Sequence, residues 1–190
     1  MMIYTKKGDD GRTSILKKKE GRVATMSKAS PLIEAIGSVD EANSYLGIIT
    51  SELRTSSYAK VSANRQNLKN IEKIQKNLFT IGSILAGFNF ESKSLKTKEL
   101  EKEIDLIDEK LPKLTGFILP GGSTISAQIM YARALVRRME RKIVRLSDRL
   151  GNNKFQEIIT YINRLSDYLF VLGRFQNSLM GIREEKLKVK

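Results

Sequence analysis

Residues 132–141, ARALVRRMER, show the plainest periodicity in the chain. At 100° per residue, Ile129, Ala132, Leu135, Val136, Met139, Ile143 and Leu146 fall within an arc of about 120°, the signature of a helix with one buried stripe. Glu140, Arg133, Arg137 and Arg141 follow in angular order on the flank of that stripe. Guanidinium groups at i, i+4 and i+8 beside an apolar seam suit the grip of a polyanion. They also suit a solvated basic face or ion pairs to a neighbouring helix, and the helix taken alone favours that plainer reading.

Working outward, the same 3- and 4-residue steps recur. Leu32, Ala35, Val39, Ala42, Leu46, Ile49 and Leu53 form a first helix, with Pro31 suited to its first turn. A Ser/Thr stretch at 55–62 interrupts it. Leu68, Ile71, Ile74, Gln75, Leu78, Ile81 and Leu85 form a second, closed near Gly87, and residues 88–94 read as a loop. Leu100, Ile104, Ile107 and Leu111 form a shorter, charged third helix stopped by Pro112. Ser123 or Thr124 can cap the fourth, which runs to about Leu150. Ile158, Ile162, Leu165, Leu169 and Leu172 belong to a fifth. Residues 3–30 lack sustained periodicity and show no convincing strand alternation. The expected fold is all-α: a five-helix up-and-down bundle over 31–181, preceded by a mobile extended segment at 1–30 and followed by a frayed charged tail at 182–190.

The 190 residues carry 34 basic and 21 acidic side chains, a net charge of +13, with no histidine and no cysteine. This composition excludes disulfides, thiolate nucleophiles, imidazole acid–base chemistry and Cys/His metal sites. A metal would need oxygen ligands, most simply Mg²⁺ arriving with a phosphate. The positive charge favours anionic ligands. Basic residues spread along the whole chain, and only 7% of residues are aromatic, so a dedicated nucleic-acid surface is not expected. No apolar run reaches the roughly 20 residues of a membrane span. The first motif starts at Tyr4, which leaves no span for a leader, and the expected location is cytoplasmic.

Four constellations could carry chemistry. In YTKKGDDGRTS (4–14), glycines 8 and 11 let backbone amides turn inward among Thr5, Lys6, Lys7, Arg12, Thr13 and Ser14, a cradle for phosphates or a flexible basic terminus. It is not a Walker A loop, because no GK[ST] follows at the required spacing. In FILPGG (117–122), three large apolar residues in a connector either plug the bundle or meet an apolar ligand. On the fifth helix, Asn163, Asp167 and Arg174 share a face turned away from its core stripe, able to bond a base or ribose or merely water. Asp40 lies beside the seam of the first helix and calls for a cation, with the arginines of the fourth as candidates.

The order of these blocks is more specific than any one of them. YTKKGDDGRTS, GRV (21–23), EAIGSVDEANSYLG (34–47), LFTIGSILA (78–86), FILPGGS (117–123), ARALVRRMER and YINRLSDYLFVLGR (161–174) resemble, in order and spacing over about residues 3–177, the PduO-type ATP:corrinoid adenosyltransferases. The resemblance implies a homotrimer with sites between subunits, transferring the adenosyl group of ATP to the cobalt of reduced cob(I)alamin or a related corrinoid. A carrier of the same fold that holds ATP or corrinoid without turnover is the alternative. It implies that Thr5, Lys6, Lys7, Gly8, Thr13, Ser14 and Lys28 lie at the triphosphate and Mg²⁺. Arg137, Arg138, Glu140, Arg141 and Asn163 would surround ATP. Phe117 and Asp167 would lie on the corrinoid side, Phe117 against the lower corrin face. Asp40 would pair with an arginine across the subunit interface, and Arg133, Arg137, Asp40 and Phe117 would form the catalytic set. A reductase and a product-accepting mutase are implied partners. Two positions depart from the family pattern: Met130 stands where a histidine is common, and Lys7 where threonine is common.

Overall fold

The computed structural model describes residues 4, 6–17, 22–55, 62–92, 95–151 and 155–187. Five helices dominate: α1 (Pro31–Thr55), α2 (Ser62–Leu85), α3 (Thr97–Asp108), α4 (Thr124–Leu150) and α5 (Gln156–Leu179). The apolar positions picked out by periodicity are the buried ones, and they merge into a single core. Helix ends follow local chemistry. Ser123, not Thr124, caps α4: its backbone is extended and its Oγ accepts the Ser126 N–H at 3.2 Å. Gly151 closes the same helix in the left-handed conformation, φ 61°. Ser30 Oγ accepts the Ile33 N–H at the start of α1.

α4 packs against α1 on one side and α5 on the other; α2 lies on α1, and α3 on α5. From Leu165 to Asn177, α5 is buried almost all round. One stripe meets α4, while its opposite side is covered by α3 and the chain's own C-terminal residues. Arg174, expected on an open face, is therefore only 2% exposed. Its guanidinium meets Glu184 (2.6 and 3.2 Å) and donates to the Pro112 carbonyl at 2.8 Å.

The chain is not all-α. Residues in the N-terminal segment form an antiparallel ribbon, β1 (Arg12–Lys17) with β2 (Arg22–Ser27), in the register Arg12↔Ser27 through Lys17↔Arg22. Thr13, Ile15, Val23 and Thr25 supply β-branched residues. Each run is only six residues long and the charged KKEG between them blurs the alternation, so periodicity does not announce it. The ribbon touches the helices only sparsely. A second departure lies at the other terminus. Residues 182–187, expected to fray, run beside the connector between α3 and α4: the Leu119 N–H donates to the Glu185 carbonyl at 2.8 Å and the Leu187 N–H to the Phe117 carbonyl at 2.9 Å.

Candidate active site

α4 presents its polar residues to two neighbours, with a gap between. On the α1 side, Arg138 pairs with Glu41, and Lys142 with Glu34 at 2.7 Å. On the α5 side, Asn163 Nδ2 donates to Glu140 Oε1 at 3.0 Å. Arg133 leans over the Phe170 ring, 5.3 Å from its centroid. Burial and the charge of Arg137 lower its pKa, and Asp167 opposes them; a guanidinium so placed stays charged. Arg137 and Arg141 are exposed and have no acid partner among the described residues. Two guanidinium groups one turn apart, next to a fixed Glu140–Asn163 amide pair, form a ready receptor for an anion attached to a hydrogen-bonding heterocycle or sugar.

The structure thus separates the sequence-derived candidates. Arg133, Arg137, Glu140, Arg141, Asn163 and Asp167 share the α4/α5 flank. Arg138 sits on the opposite flank, because one residue of helix turns it about 100° from Arg137. Asp40 is exposed and has no cation partner among the described residues; its neighbour Glu41 takes the α4 arginine instead. Asp167 pairs with Arg164 at 2.7 Å.

In the ribbon, Lys28 Nζ donates to the Gly8 carbonyl at 2.6 Å, and the Lys28 N–H to the Gly11 carbonyl at 2.9 Å. The turn at 6–11 and Lys28 are therefore one unit, tightened by the Asp10 carboxylate accepting the Arg12 N–H at 3.0 Å. Lys6 has φ 58°, a left-handed conformation unusual for a lysine. Lys6 and Lys7 are exposed. Strand alternation directs Thr13 and Ser14 to opposite faces of β1. Thr5 lies outside the described residues.

Phe117 is 75% exposed, so it does not plug the bundle. Met130 does fill core space: it is buried, and a Cβ on Gly173 would meet its Cε at 2.9 Å. A cavity of about 60 Å³ between α2, α3 and α5 lies apart from all these residues. Its polar groups satisfy one another, as in Asn77 to Tyr161 (2.9 Å) and Asn70 to Glu103 (2.8 Å), and burial pushes the Tyr161 hydroxyl up to about 12. Asn177, Glu184 and Arg174 were the residues that sequence reasoning missed or misplaced; their partners lie 10 to 62 positions away, beyond the reach of periodicity.

The family model described as cobalamin adenosyltransferase matches residues 3–176. The chain belongs to that family. It is 35% identical to the corrinoid adenosyltransferase of Bacillus subtilis over 96% of this chain and 90% of that protein. It is 34% identical to human corrinoid adenosyltransferase MMAB over 99% and 73%, and it spans half the length of Citrobacter freundii PduO, at 33% identity. Among solved structures, an alanine variant of a phenylalanine in the PduO-type ATP:corrinoid adenosyltransferase of Lactobacillus reuteri, complexed with cobalamin and ATP, superposes with a TM-score of 0.82 at 33% identity, covering 99% of this chain and 100% of that one. An arginine-to-lysine variant of a PduO-type enzyme from the same organism, complexed with ATP, gives 0.79 at 34%, covering 98% and 100%.

Proposed function

We propose that this chain is an ATP:cob(I)alamin adenosyltransferase, moving the 5′-deoxyadenosyl group of ATP onto the cobalt of a reduced corrinoid. In the step, the electron pair of cobalt(I) forms the cobalt–carbon bond at C5′. The C5′–oxygen bond breaks and its pair leaves with triphosphate. The nucleophile belongs to the substrate, which suits a chain without histidine or cysteine. The protein's task is to hold C5′ in line with the metal and to stabilise the departing charge.

The observation that carries the reading is the pair Arg137 and Arg141, without acid partners among the described residues, beside the Glu140–Asn163 bond, in a chain of this family. Arg137 and Arg141 receive phosphate oxygens, and Glu140 and Asn163 orient the nucleoside. Arg133 adds charge at the rim, while Arg138 stays with Glu41 on the α1 side. The ribbon closes over the triphosphate with Thr5, Lys6, Lys7, Gly8, Lys28 and the hydroxyls of Thr13 or Ser14. Among the described residues no group of three or more Asp or Glu side chains converges on a metal-sized site. Hydroxyls such as that of Ser14 would hold a Mg²⁺ carried by the triphosphate, which would supply further neutralisation of the leaving group. Phe117 and Asp167 serve the corrinoid, the ring keeping ligands from the lower axial face so that cobalt is reducible.

The same reading makes the bundle up-and-down and the assembly a homotrimer: Asp40, exposed and without a cation among the described residues, is completed by an arginine of a neighbouring subunit. Residues 1–30 act as the nucleotide-closing segment and 31–181 as the catalytic bundle. No described helix is long and apolar enough to cross a membrane. We place the enzyme in the cytoplasm, served by a reductase and emptied by a mutase that accepts the product. The test is anaerobic incubation with Mg-ATP and chemically reduced cobalamin. Formation of the cobalt–carbon spectrum with stoichiometric triphosphate is expected; tight binding of both ligands without triphosphate release would make the chain a carrier. Phe117→Ala should lose activity selectively when cobalt(II) corrinoid must be reduced on the enzyme, with an unchanged melting temperature because the ring is exposed.

A further inference from the structure

Phe117 combines two properties that seldom occur together. Its ring is 75% exposed, yet the connector that carries it is tied down along its length. At the start, buried Arg174 donates to the Pro112 carbonyl at 2.8 Å. In the middle, the tail forms a bridge, Ile118↔Lys186, with the Leu119 N–H on the Glu185 carbonyl and the Leu187 N–H on the Phe117 carbonyl. Lys186 Nζ also donates to Thr115 Oγ1 at 2.7 Å. At the end, Asn177 Nδ2 donates to the Gly121 carbonyl at 2.9 Å, while its Oδ1 accepts both the Ser123 N–H (2.9 Å) and hydroxyl (3.0 Å).

All three ties trace to one anchor region. Arg174 and Asn177 are on the last turns of α5, and the tail leaves directly from them, with the Ile182 N–H on the Asn177 carbonyl at 2.9 Å. The tail is in turn pinned by Glu184, whose carboxylate takes two guanidinium hydrogen bonds from Arg174. Arg174 is 2% and Glu184 15% exposed at the side chain, so this is a shielded, charge-assisted contact rather than a solvated surface pair. A buried arginine of this kind is costly unless its hydrogen bonds are satisfied, and here they are satisfied by the tail and the connector together. If the tail departs, Arg174 loses both of its guanidinium–carboxylate hydrogen bonds, keeping only the longer ion pair to Asp108 at 3.6 Å, and the connector loses its strand partner at the same moment.

We infer that Arg174, Glu184 and the backbone of residues 185–187 are positioning elements for the reaction: a C-terminal clasp that holds the Phe117 ring at a fixed height and angle. The clasp acts on the corrinoid side and not on ATP. This rests on the reading that Phe117 faces the corrinoid. A loop with a free aromatic at its tip folds back onto the nearest apolar surface; the clasp prevents that collapse and keeps the ring presented.

The test uses the whole 190-residue chain with three changes in its tail. Leu187→Pro deletes only the N–H that bonds Phe117, at an exposed side chain and in extended backbone that accommodates proline. Leu187→Ala keeps that N–H and is the control. Glu184→Gln removes the charge. Because the chain has no tryptophan, Phe117→Trp supplies a single fluorescent reporter in each background. Leu187→Pro should raise the KM for cob(I)alamin about fivefold, the effect of one lost backbone hydrogen bond, and Glu184→Gln by at least as much. Both should leave the KM for ATP unchanged and lower the reporter's anisotropy, while Leu187→Ala behaves as wild type in every measure. Unchanged anisotropy in Leu187→Pro overturns the clasp whatever the kinetics. Lowered anisotropy with an unchanged corrinoid KM overturns its role in the reaction. If Phe117→Ala, with the tail intact, leaves corrinoid kinetics unaltered, the placement of Phe117 has failed, and the anisotropy still decides separately whether the clasp exists.

Discussion

The N-terminal ribbon and the connector at 112–123 both carry residues of the proposed site, and they are held in opposite ways. The ribbon is bonded mainly to itself, through its ladder and the Lys28–Gly8 contact, and barely touches the helices. The connector has little internal bonding and is fastened at its start, middle and end to α5 and the tail. The contrast matches the tasks proposed for them. A segment that admits ATP and releases triphosphate has to detach cheaply. A segment that keeps ligands off one face of a metal has to stay where it is.

One substitution made in both regions tests that contrast most directly. Gly122 has φ +96°, and an added Cβ would lie 2.4 Å from the Asn177 amide. Gly122→Ala should cost about 2–4 kcal/mol through backbone strain and overpacking, seen as a clear drop in melting temperature. Gly11 has a similar φ of +77° with nothing within 4 Å. Gly11→Ala should carry only about 1–2 kcal/mol of local strain, confined to the ribbon, and leave the global melt in place. Equal drops would mean that the ribbon is docked as firmly as the connector.

Next in size, Arg137→Ala should lower kcat/KM about 10- to 100-fold, the cost of roughly 1.5–3 kcal/mol for one charge-assisted contact. Steady-state kinetics with saturating corrinoid would measure it. Lys28→Ala should act more weakly, about fivefold and mainly in the KM for ATP, because it loosens the turn that carries Gly8. The reverse order would move the main hold on triphosphate from α4 to the ribbon. Protease cleavage between residues 6 and 12 should also slow when Mg-ATP is added, and should not respond to corrinoid alone.

The smallest expected effect is at Glu34, in the first turn of the helix that the ribbon runs into. The hydrogen bond from Lys142, and then its charge, lower the Glu34 pKa below 4.5. A depressed carboxylate contributes stability that is present above pH 4.5 and is lost as pH falls through the lower, folded value. Glu34→Gln should therefore melt slightly below wild type at neutral pH and together with it in strong acid. The pair is exposed, so the difference should be small at neutral pH and shrink further in high salt.

The five helices were legible because each buries an apolar stripe whose period survives in the sequence; Leu46, Ile81, Met139 and Ile162 are all fully buried as spacing requires. The arginine row was legible for the same reason, since angle alone places Arg133, Arg137 and Arg141 on one flank. What escaped detection was whatever depends on non-local pairing. The ribbon's strands are too short to show a period. Arg174 looked solvent-facing because its angle on α5 opposes the core stripe, and no local pattern reveals that α3 and the tail cover that side. Nor does spacing show that Glu41, one residue beyond Asp40 and 100° around the helix, takes the Arg138 bond.

α5 has a consequence of a different kind. Asn163, which bonds Glu140, and Asn177, which holds the connector, stand on one uninterrupted helix, 14 residues or about 21 Å apart. Between them lie Asp167, facing the charge of Arg133, and Phe170, under its guanidinium. The helix is thus a ruler whose two ends are marked by amides. Its length is set by residue count and cannot be adjusted by a neighbouring loop. Adding or deleting one residue between 163 and 177 would shift the far mark by only about 1.5 Å but swing it through about 100°, sending Asn177 away from Gly121 altogether. Loops and the tail of this chain can change length without moving either mark, whereas this 14-residue interval tolerates no insertion.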